Sequence, residues 1–150
     1  MKRTTIGYAA SSFIAAAISL GGLLSVCQAV AADSVEAKTV IPATSDAIWL
    51  SIDKETEQLA TLIQGNKLEE VHHHAFAIRD LVAALPARSA SLGADKLAAV
   101  KTNSKFVAAL AERMDATGDA KDKAGTAANL EKLKGVLKTI RSSYPSAGQK

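Results

Sequence analysis

The chain has 150 residues, a formal net charge of +3 and a single cysteine, and aromatic residues make up only 4% of it. This length suits one domain with one core. One cysteine excludes a disulfide framework within the chain. The modest charge comes without a basic stripe or an aromatic platform, which argues against a nucleic-acid partner.

The start of the chain has the layout of an export signal. Two basic residues precede an apolar run over residues 13–26, and small residues follow the run. We expect cleavage after Ala31 or Ala32, so that residues 1–32 are a signal peptide and the mature protein is periplasmic in a bacterium. The apolar run is short for a membrane span of about 20 residues, which disfavours a retained anchor.

Cys27 leaves a second maturation route open. The run that ends at Cys27 resembles a lipoprotein signal, although Val26 stands where such signals carry Gly, Ala or Ser. Ordinary cleavage would remove Cys27 and leave a mature chain with no thiol and no cysteine-based site. It would also remove Lys2 and Arg3, the only charges before residue 33, and lower the net charge from +3 to +1. We expect no membrane association after this cleavage.

The rest of the chain is predicted to be all-α. Apolar residues recur at helical spacing in four segments, over residues 45–64, 67–85, 95–116 and 120–143. Short breaks between long helices favour an up-down-up-down antiparallel four-helix bundle over residues 44–145. Residues 33–43 are predicted to form a flexible lead-in, and residues 146–150 a frayed tail.

Residue types at the segment ends predict where the first two helices begin and end. Thr44 or Ser45 is expected to cap the first helix, and Gly65 to end it. Asn66 would then cap the second helix, and Glu69 would complete a capping box.

The later boundaries follow from proline and glycine. Pro86 is expected to end the second helix, and Pro145 the fourth. Gly118 is expected to break the chain between the third and fourth helices in a left-handed conformation, and Asp119 to cap the fourth. The predicted inward-facing residues are Ile48, Trp49, Ile52, Leu59, Leu62, Ile63, Leu68, Val71, Ala75, Ile78, Val82, Leu85, Leu97, Val100, Val107, Leu110, Ala111, Met114, Leu130, Leu133, Leu137, Ile140 and Tyr144.

The three histidines of the chain form one run, His72, His73 and His74, shortly after Glu69 and Glu70. Glu and His three or four residues apart share a helix face. Such a pair can chelate a divalent transition metal such as Zn, Cu, Ni or Co, with imidazole as the main ligand. The sequence therefore predicts a metal site at the histidines, assisted by the two glutamates.

A helical wheel separates the three rings. His74 falls at one edge of the apolar stripe, His72 at the other edge, and His73 faces water, so the three cannot all bind one ion. The positive end of the helix dipole keeps imidazole neutral and ready to bind. The alternative interpretation is that these are ordinary histidines on the surface or at the edge of the core.

Other chemistry of helical bundles fits this chain poorly. A carboxylate-bridged di-iron bundle needs Glu-x-x-His motifs on two helices, and here they overlap on one. Haem b would need a core His and Met pair, for which His74 and Met114 are the candidates, and no haem is expected. The sequence contains no nucleophile elbow and no phosphate loop, so we expect no enzymatic activity.

A second face of the same helix carries an aromatic residue. Phe76 lies with His72, Arg79 and Ala83, away from the apolar stripe. An exposed Phe beside Arg is typical of a surface for a protein partner or for self-association. The alternative is that Phe76 packs against a neighbouring helix.

Residues 70–86, together with the run Asp-Ala-Ile-Trp at 46–49, resemble small bacterial exported helical proteins that accompany heavy-metal efflux and resistance systems. The resemblance covers the first helical hairpin, implies a metal-related periplasmic role and transfers no ligand residues. The resulting hypothesis is a periplasmic protein that binds or senses a divalent transition metal in metal resistance or homeostasis. The alternative is a structural or adaptor bundle without metal.

Overall fold

The computed structural model describes residues 38–144, and every regular element in that range is helical. The predicted all-α class is therefore confirmed for this part of the chain. The predicted signal peptide over residues 1–32, residues 33–37 of the predicted lead-in and the predicted tail lie outside the described residues. Within residues 38–144, no helix is both long enough and apolar enough to cross a membrane.

The described residues form four α-helices: α1 (Ser45–Gln64), α2 (Val71–Ala84), α3 (Ala94–Asp119) and α4 (Lys123–Arg141). Single 3-10 turns at Leu68–Glu70 and Leu85–Arg88 directly precede and follow α2. α2 packs against both α1 and α3, α3 packs against α4, and α1 makes a smaller contact with α4.

Two polar contacts define how α1 and α4 run relative to each other. The Arg141 guanidinium, at the end of α4, donates to Asp53 in the first half of α1 over 2.6 Å. Lys123, at the start of α4, donates to the carbonyl of Gln64 at the end of α1 over 2.9 Å. These two helices are therefore antiparallel.

The apolar stripes of the four helices meet in one core. All six predicted inward residues of the α2 region are buried, and Leu62, Leu97 and Tyr144 are the predicted inward residues that stay partly exposed. Each fully buried Leu or Ile side chain stabilises the fold by about 1.5–3 kcal/mol relative to exposure. The largest fully buried side chains are Ile48, Ile52, Leu59, Val71, Ile78, Leu81, Val82, Leu85, Val100, Met114, Leu133 and Ile140.

The predicted first helix is confirmed at both ends. Thr44 has an extended backbone, and its hydroxyl accepts a hydrogen bond from the Ala47 N–H at 3.2 Å. The left-handed residue after the helix is Asn66, with φ of 57°, and not Gly65. Asn66 and Lys67 donate their N–H groups to Ile63 and to Leu62, which is the Schellman pattern with Asn at the left-handed position.

The predicted cap of the second helix is wrong for the same reason. Asn66 ends α1 and cannot also cap the next helix, so the expected capping box with Glu69 does not form. The 3-10 turn leads straight into α2, whose first residue, Val71, donates its N–H to Leu68. The end predicted from Pro86 is confirmed within one residue, because α2 stops at Ala84 and Pro86 lies in the 3-10 turn that continues to Arg88.

The break expected at Gly118 is also wrong. α3 continues through it to Asp119, and Gly118 is buried inside the helix. The Schellman turn comes at Lys121, with φ of 55°, and Asp122 rather than Asp119 caps α4 by accepting the Gly125 N–H at 2.9 Å.

Close packing explains why a glycine stands inside α3. A Cβ atom at Gly118 would lie 2.8 Å from the Leu68 carbonyl oxygen in the turn before α2. That distance is shorter than real Cβ contacts allow, so only glycine lets the two backbones approach. Gly118 therefore marks a contact between segments and not a chain break.

Two aromatic residues, Trp49 and Tyr144, pack together at the edge of the core. The rings of Trp49 and Tyr144 meet edge to face with centroids 5.6 Å apart, and the Arg141 guanidinium lies 4.4 Å from the Trp49 ring centroid. Ser89 donates its hydroxyl to the Leu85 carbonyl over 2.6 Å and so accepts the Tyr144 hydroxyl, 2.8 Å away. Burial raises the pKa of the Tyr144 phenol above 10.0.

We predict opposite effects for the same substitution at two glycines. Gly118→Ala should lower the free energy of unfolding by about 1–3 kcal/mol, because the added methyl group overpacks the contact with Leu68. Gly135→Ala is the matched control, since it lies inside α4 with open space around it, and should raise the free energy by about 0.5–1 kcal/mol. Urea unfolding followed by circular dichroism measures both, and equal effects would contradict the close approach.

We also predict a pH dependence that originates at Tyr144. Because burial raises its folded-state pKa, the phenol should ionise with a midpoint above the ordinary value of about 10 in an ultraviolet absorbance titration. Its stabilising effect should be complete below about pH 10 and be lost as the pH rises through the folded-state value. Subtracting the curve of Tyr144→Phe isolates this contribution, and a midpoint at or below the ordinary value would contradict the prediction.

Candidate functional site

The helix that carries the histidines is oriented by its apolar stripe. Burial of Val71, Ala75 and Ile78 between α1 and α3 leaves His73 exposed and places His72 and His74 at partly buried positions. This order agrees with the helical wheel. The rings of His72 and His73 nevertheless touch, with centroids 3.7 Å apart and planes tilted by 44°.

His74 has a partner that the sequence analysis did not identify. Its Nδ1 lies 2.6 Å from Oε2 of Glu55, one helix away on α1, and the two side chains are 24% and 21% exposed. A carboxylate cannot donate when ionised, so Nδ1 is the donor in this pair. The contact leaves Nε2 as the ring nitrogen of His74 that can bind a ligand.

Within residues 38–144, an ion pair engages the carboxylate of only one of the two predicted glutamate ligands. Glu70 pairs with Lys67 at 3.6 Å, whereas the contact of Glu69 is made by its backbone carbonyl, which accepts a hydrogen bond from Nδ1 of His72 at 2.9 Å. Among residues 38–144, neither carboxylate is paired with a histidine ring. Over the same range, no three His, Cys, Asp or Glu side chains lie together in a way that could hold a metal ion.

A groove of about 690 Å³ lies beside His74. One wall is the segment 38–40 that precedes α1, and the others are turns of α1 and α2. Its residues are Lys38, Thr39, Val40, Ser51, Glu55, His73, His74, Phe76, Ala77, Arg79, Asp80 and Leu81. Two of the three histidines thus border the same space as Glu55, while His72 does not.

Ion pairs and hydrogen bonds organise the far side of this groove. Arg79 donates to Asp80 over 2.9 Å, and the Thr39 hydroxyl donates to the same carboxylate over 3.3 Å. The second bond ties the segment before α1 to α2. Both carboxylates that border the groove therefore have partners, since Glu55 contacts His74 and Asp80 pairs with Arg79.

The ring of Phe76 is only partly accessible to a protein partner. It is partly buried and packs against the edge of the core, as the alternative interpretation anticipated. The Arg79 guanidinium lies 4.5 Å from its ring centroid and covers part of the remaining face. Phe76 and Arg79 both line the groove, which therefore presents an apolar ring beside the Arg79–Asp80 ion pair.

Comparison with known proteins assigns no family to the chain. The chain matches no protein-family model, and searches of curated proteins and of solved structures find no significant match.

We predict that Glu55 and His74 are energetically coupled. In a double-mutant cycle with Glu55→Ala and His74→Ala, the coupling free energy of unfolding should be about 0.5–1.5 kcal/mol, the range of a net hydrogen bond. The same cycle with His73→Ala in place of His74→Ala is the control and should give no coupling, because that ring is exposed. Equal coupling to both histidines, measured by urea unfolding, would contradict the contact.

Proposed function

We propose that this chain is a periplasmic helical-bundle protein that binds or senses a divalent transition metal, with His74 as its principal ligand. The observation that carries the proposal is the 2.6 Å contact between Nδ1 of His74 and Oε2 of Glu55. Histidines that bind metals commonly donate their other ring N–H to a carboxylate, which orients the ring and raises its basicity. Glu55 stands in that relation to His74.

The groove supplies a second imidazole. His73 borders the same space as His74, so it is the second imidazole that could bind an ion in the groove. His72, Glu69 and Glu70 lie within one or two turns and could assist if their present contacts open. Since residues 38–144 bring no three such groups together, the ion would keep water or a partner's group in its remaining positions. Such an open site suits capture, sensing or transfer of an ion in metal homeostasis or resistance.

The bundle architecture is part of this proposal. α2 contacts α1 and α3, α3 contacts α4, and α1 contacts α4, which is the neighbour pattern of an up-down-up-down four-helix bundle. The antiparallel α1 and α4 and the short connections between consecutive helices support the same topology. In that arrangement, Glu55 and His74 face each other across the α1–α2 contact.

The compartment follows from the first residues of the sequence. A basic start, an apolar run and small residues up to Ala32 support export with cleavage. A mature chain without Cys27 would have no thiolate ligand, and its imidazole and carboxylate groups suit Zn, Cu, Ni and Co in the divalent state.

Calorimetric titration of the protein with Zn, Cu, Ni and Co tests this function. The sample is the product recovered after expression of the whole 150-residue chain, without an affinity tag. We expect micromolar or tighter binding of at least one ion, corresponding to about −8 kcal/mol or better. His74→Ala should abolish it, and Glu55→Gln should weaken it about 10–100-fold, because the ring loses its orienting carboxylate.

The matched control is Glu112→Gln on the exposed surface of α3, which should leave the affinity unchanged. Binding no tighter than millimolar, or binding that survives His74→Ala, would refute the metal function.

A second candidate is an adaptor without metal. The observation that favours it is the contact of Phe76 with Arg79 in the lining of the groove, which offers a protein partner an apolar ring beside the Arg79–Asp80 ion pair. A melting temperature that does not change when any of the four ions is added would favour this function over the first.

A further inference from the structure

The outer face of α1 carries a stripe that neither the core nor the groove uses. Asp46, Leu50, Asp53 and Glu57 follow one another at spacings of four, three and four residues and are all exposed. Leu50 is 72% exposed, so a large apolar side chain stands among carboxylates. This spacing places the four residues on one face of the helix.

The outer face of α4 has the opposite charge. α4 contains four lysines and one arginine against a single glutamate, whereas α1 contains four acidic residues against a single lysine. Lys134, Lys138 and Arg141 lie at spacings of four and three residues and are exposed. Among residues 38–144, Glu57 and Lys138 take part in no ion pair.

The two stripes lie side by side. Arg141 bonds Asp53 at one end of the α1–α4 contact, and Lys123 bonds the Gln64 carbonyl at the other. Because the helices are antiparallel, Glu57 lies beside the part of α4 that carries Lys134 and Lys138. One face of the molecule therefore has an acidic half around Leu50 and a basic half next to it.

We propose that this face joins two copies of the chain, with α1 of each copy lying on α4 of the other. A two-fold axis that lies in the face and runs parallel to the helices superimposes the acidic half of one copy on the basic half of the second. It preserves the position along the helices, so Glu57 of each copy meets Lys134 and Lys138 of the other. Such a self-complementary patch is the requirement of an isologous dimer.

Charge complementarity indicates that the partner bound at this face is a second copy of the chain. A single acidic or basic face would attract any oppositely charged helix, but a face with both halves adjacent fits its own two-fold copy best. The dimer would also shelter Leu50, which an isolated molecule leaves in water. The interaction is independent of the histidines and of metal binding, and salt should weaken it by screening the ion pairs.

Sedimentation equilibrium of the protein from the whole chain, at concentrations up to about 0.5 mM and without metal, tests the proposal. We expect a concentration-dependent doubling of mass at low salt and weaker association at high salt. Leu50→Ser should weaken association about tenfold or more, because burial of a Leu side chain is lost. Phe106→Ser, at the exposed aromatic of α3, is the matched control and should leave association unchanged.

A mixing experiment separates contacts between copies from contacts within one copy. Glu57→Lys alone and a Lys134→Glu, Lys138→Glu double variant alone should each be monomeric, because like charges would meet. An equal mixture of the two should recover the dimer, since the reversed charges then face each other across the axis. Glu112→Lys on α3 is the charge control and should dimerise normally. A wild-type protein that stays monomeric throughout, or a mixture that stays monomeric, would refute the interface.

Discussion

The structure depends on α2 being packed on two sides at once. Its apolar stripe, including Val71, Ala75 and Ile78, is buried between α1 and α3. A helix held on two sides has no freedom to rotate about its axis, because rotation would expose the stripe and bury polar groups. The directions of all the polar residues of α2 follow from that constraint. His74 faces α1 for this reason, and His73 faces water.

Close packing also determines the structure of the connections before α2 and after α3. Gly118 allows the backbone of α3 to lie against the Leu68 carbonyl, which brings the turn before α2 under α3. The chain then reverses at residues that accept a left-handed conformation without being glycine, Asn66 and Lys121. Asn adopts this conformation at low cost, whereas Lys adopts it at a higher cost, within a turn closed by the N–H groups of Lys121 and Asp122. Gly118 is used for proximity and not for turning.

Pairs of polar side chains lie at the groove and at the α1–α4 contact. Glu55 and His74 are joined by a hydrogen bond at the α1–α2 contact, and Asp80 and Arg79 form an ion pair beside the groove. At the α1–α4 contact, one pair joins Asp53 to Arg141, while other charges of the two helices remain available. A partly buried pair keeps its geometry better than an exposed one, because water competes less for its groups. The groove is thus preorganised, and the α1–α4 face keeps unpaired charges at its surface.

The sequence by itself determined the all-α class, the bounds of α1, nearly all of the core and the exposure order of the three histidines. These follow from helical periodicity, which depends only on residues near one another in the chain. The capping role of Asn66 and the break at Gly118 were wrong, and within residues 38–144 the carboxylates of Glu69 and Glu70 form no ion pair with a histidine. Those features depend on which other segment of the chain packs against the residues concerned. Only the tertiary structure decided that Glu55, nineteen residues before His74, is its partner, because periodicity orients a helix but does not say which neighbouring helix its edge will meet.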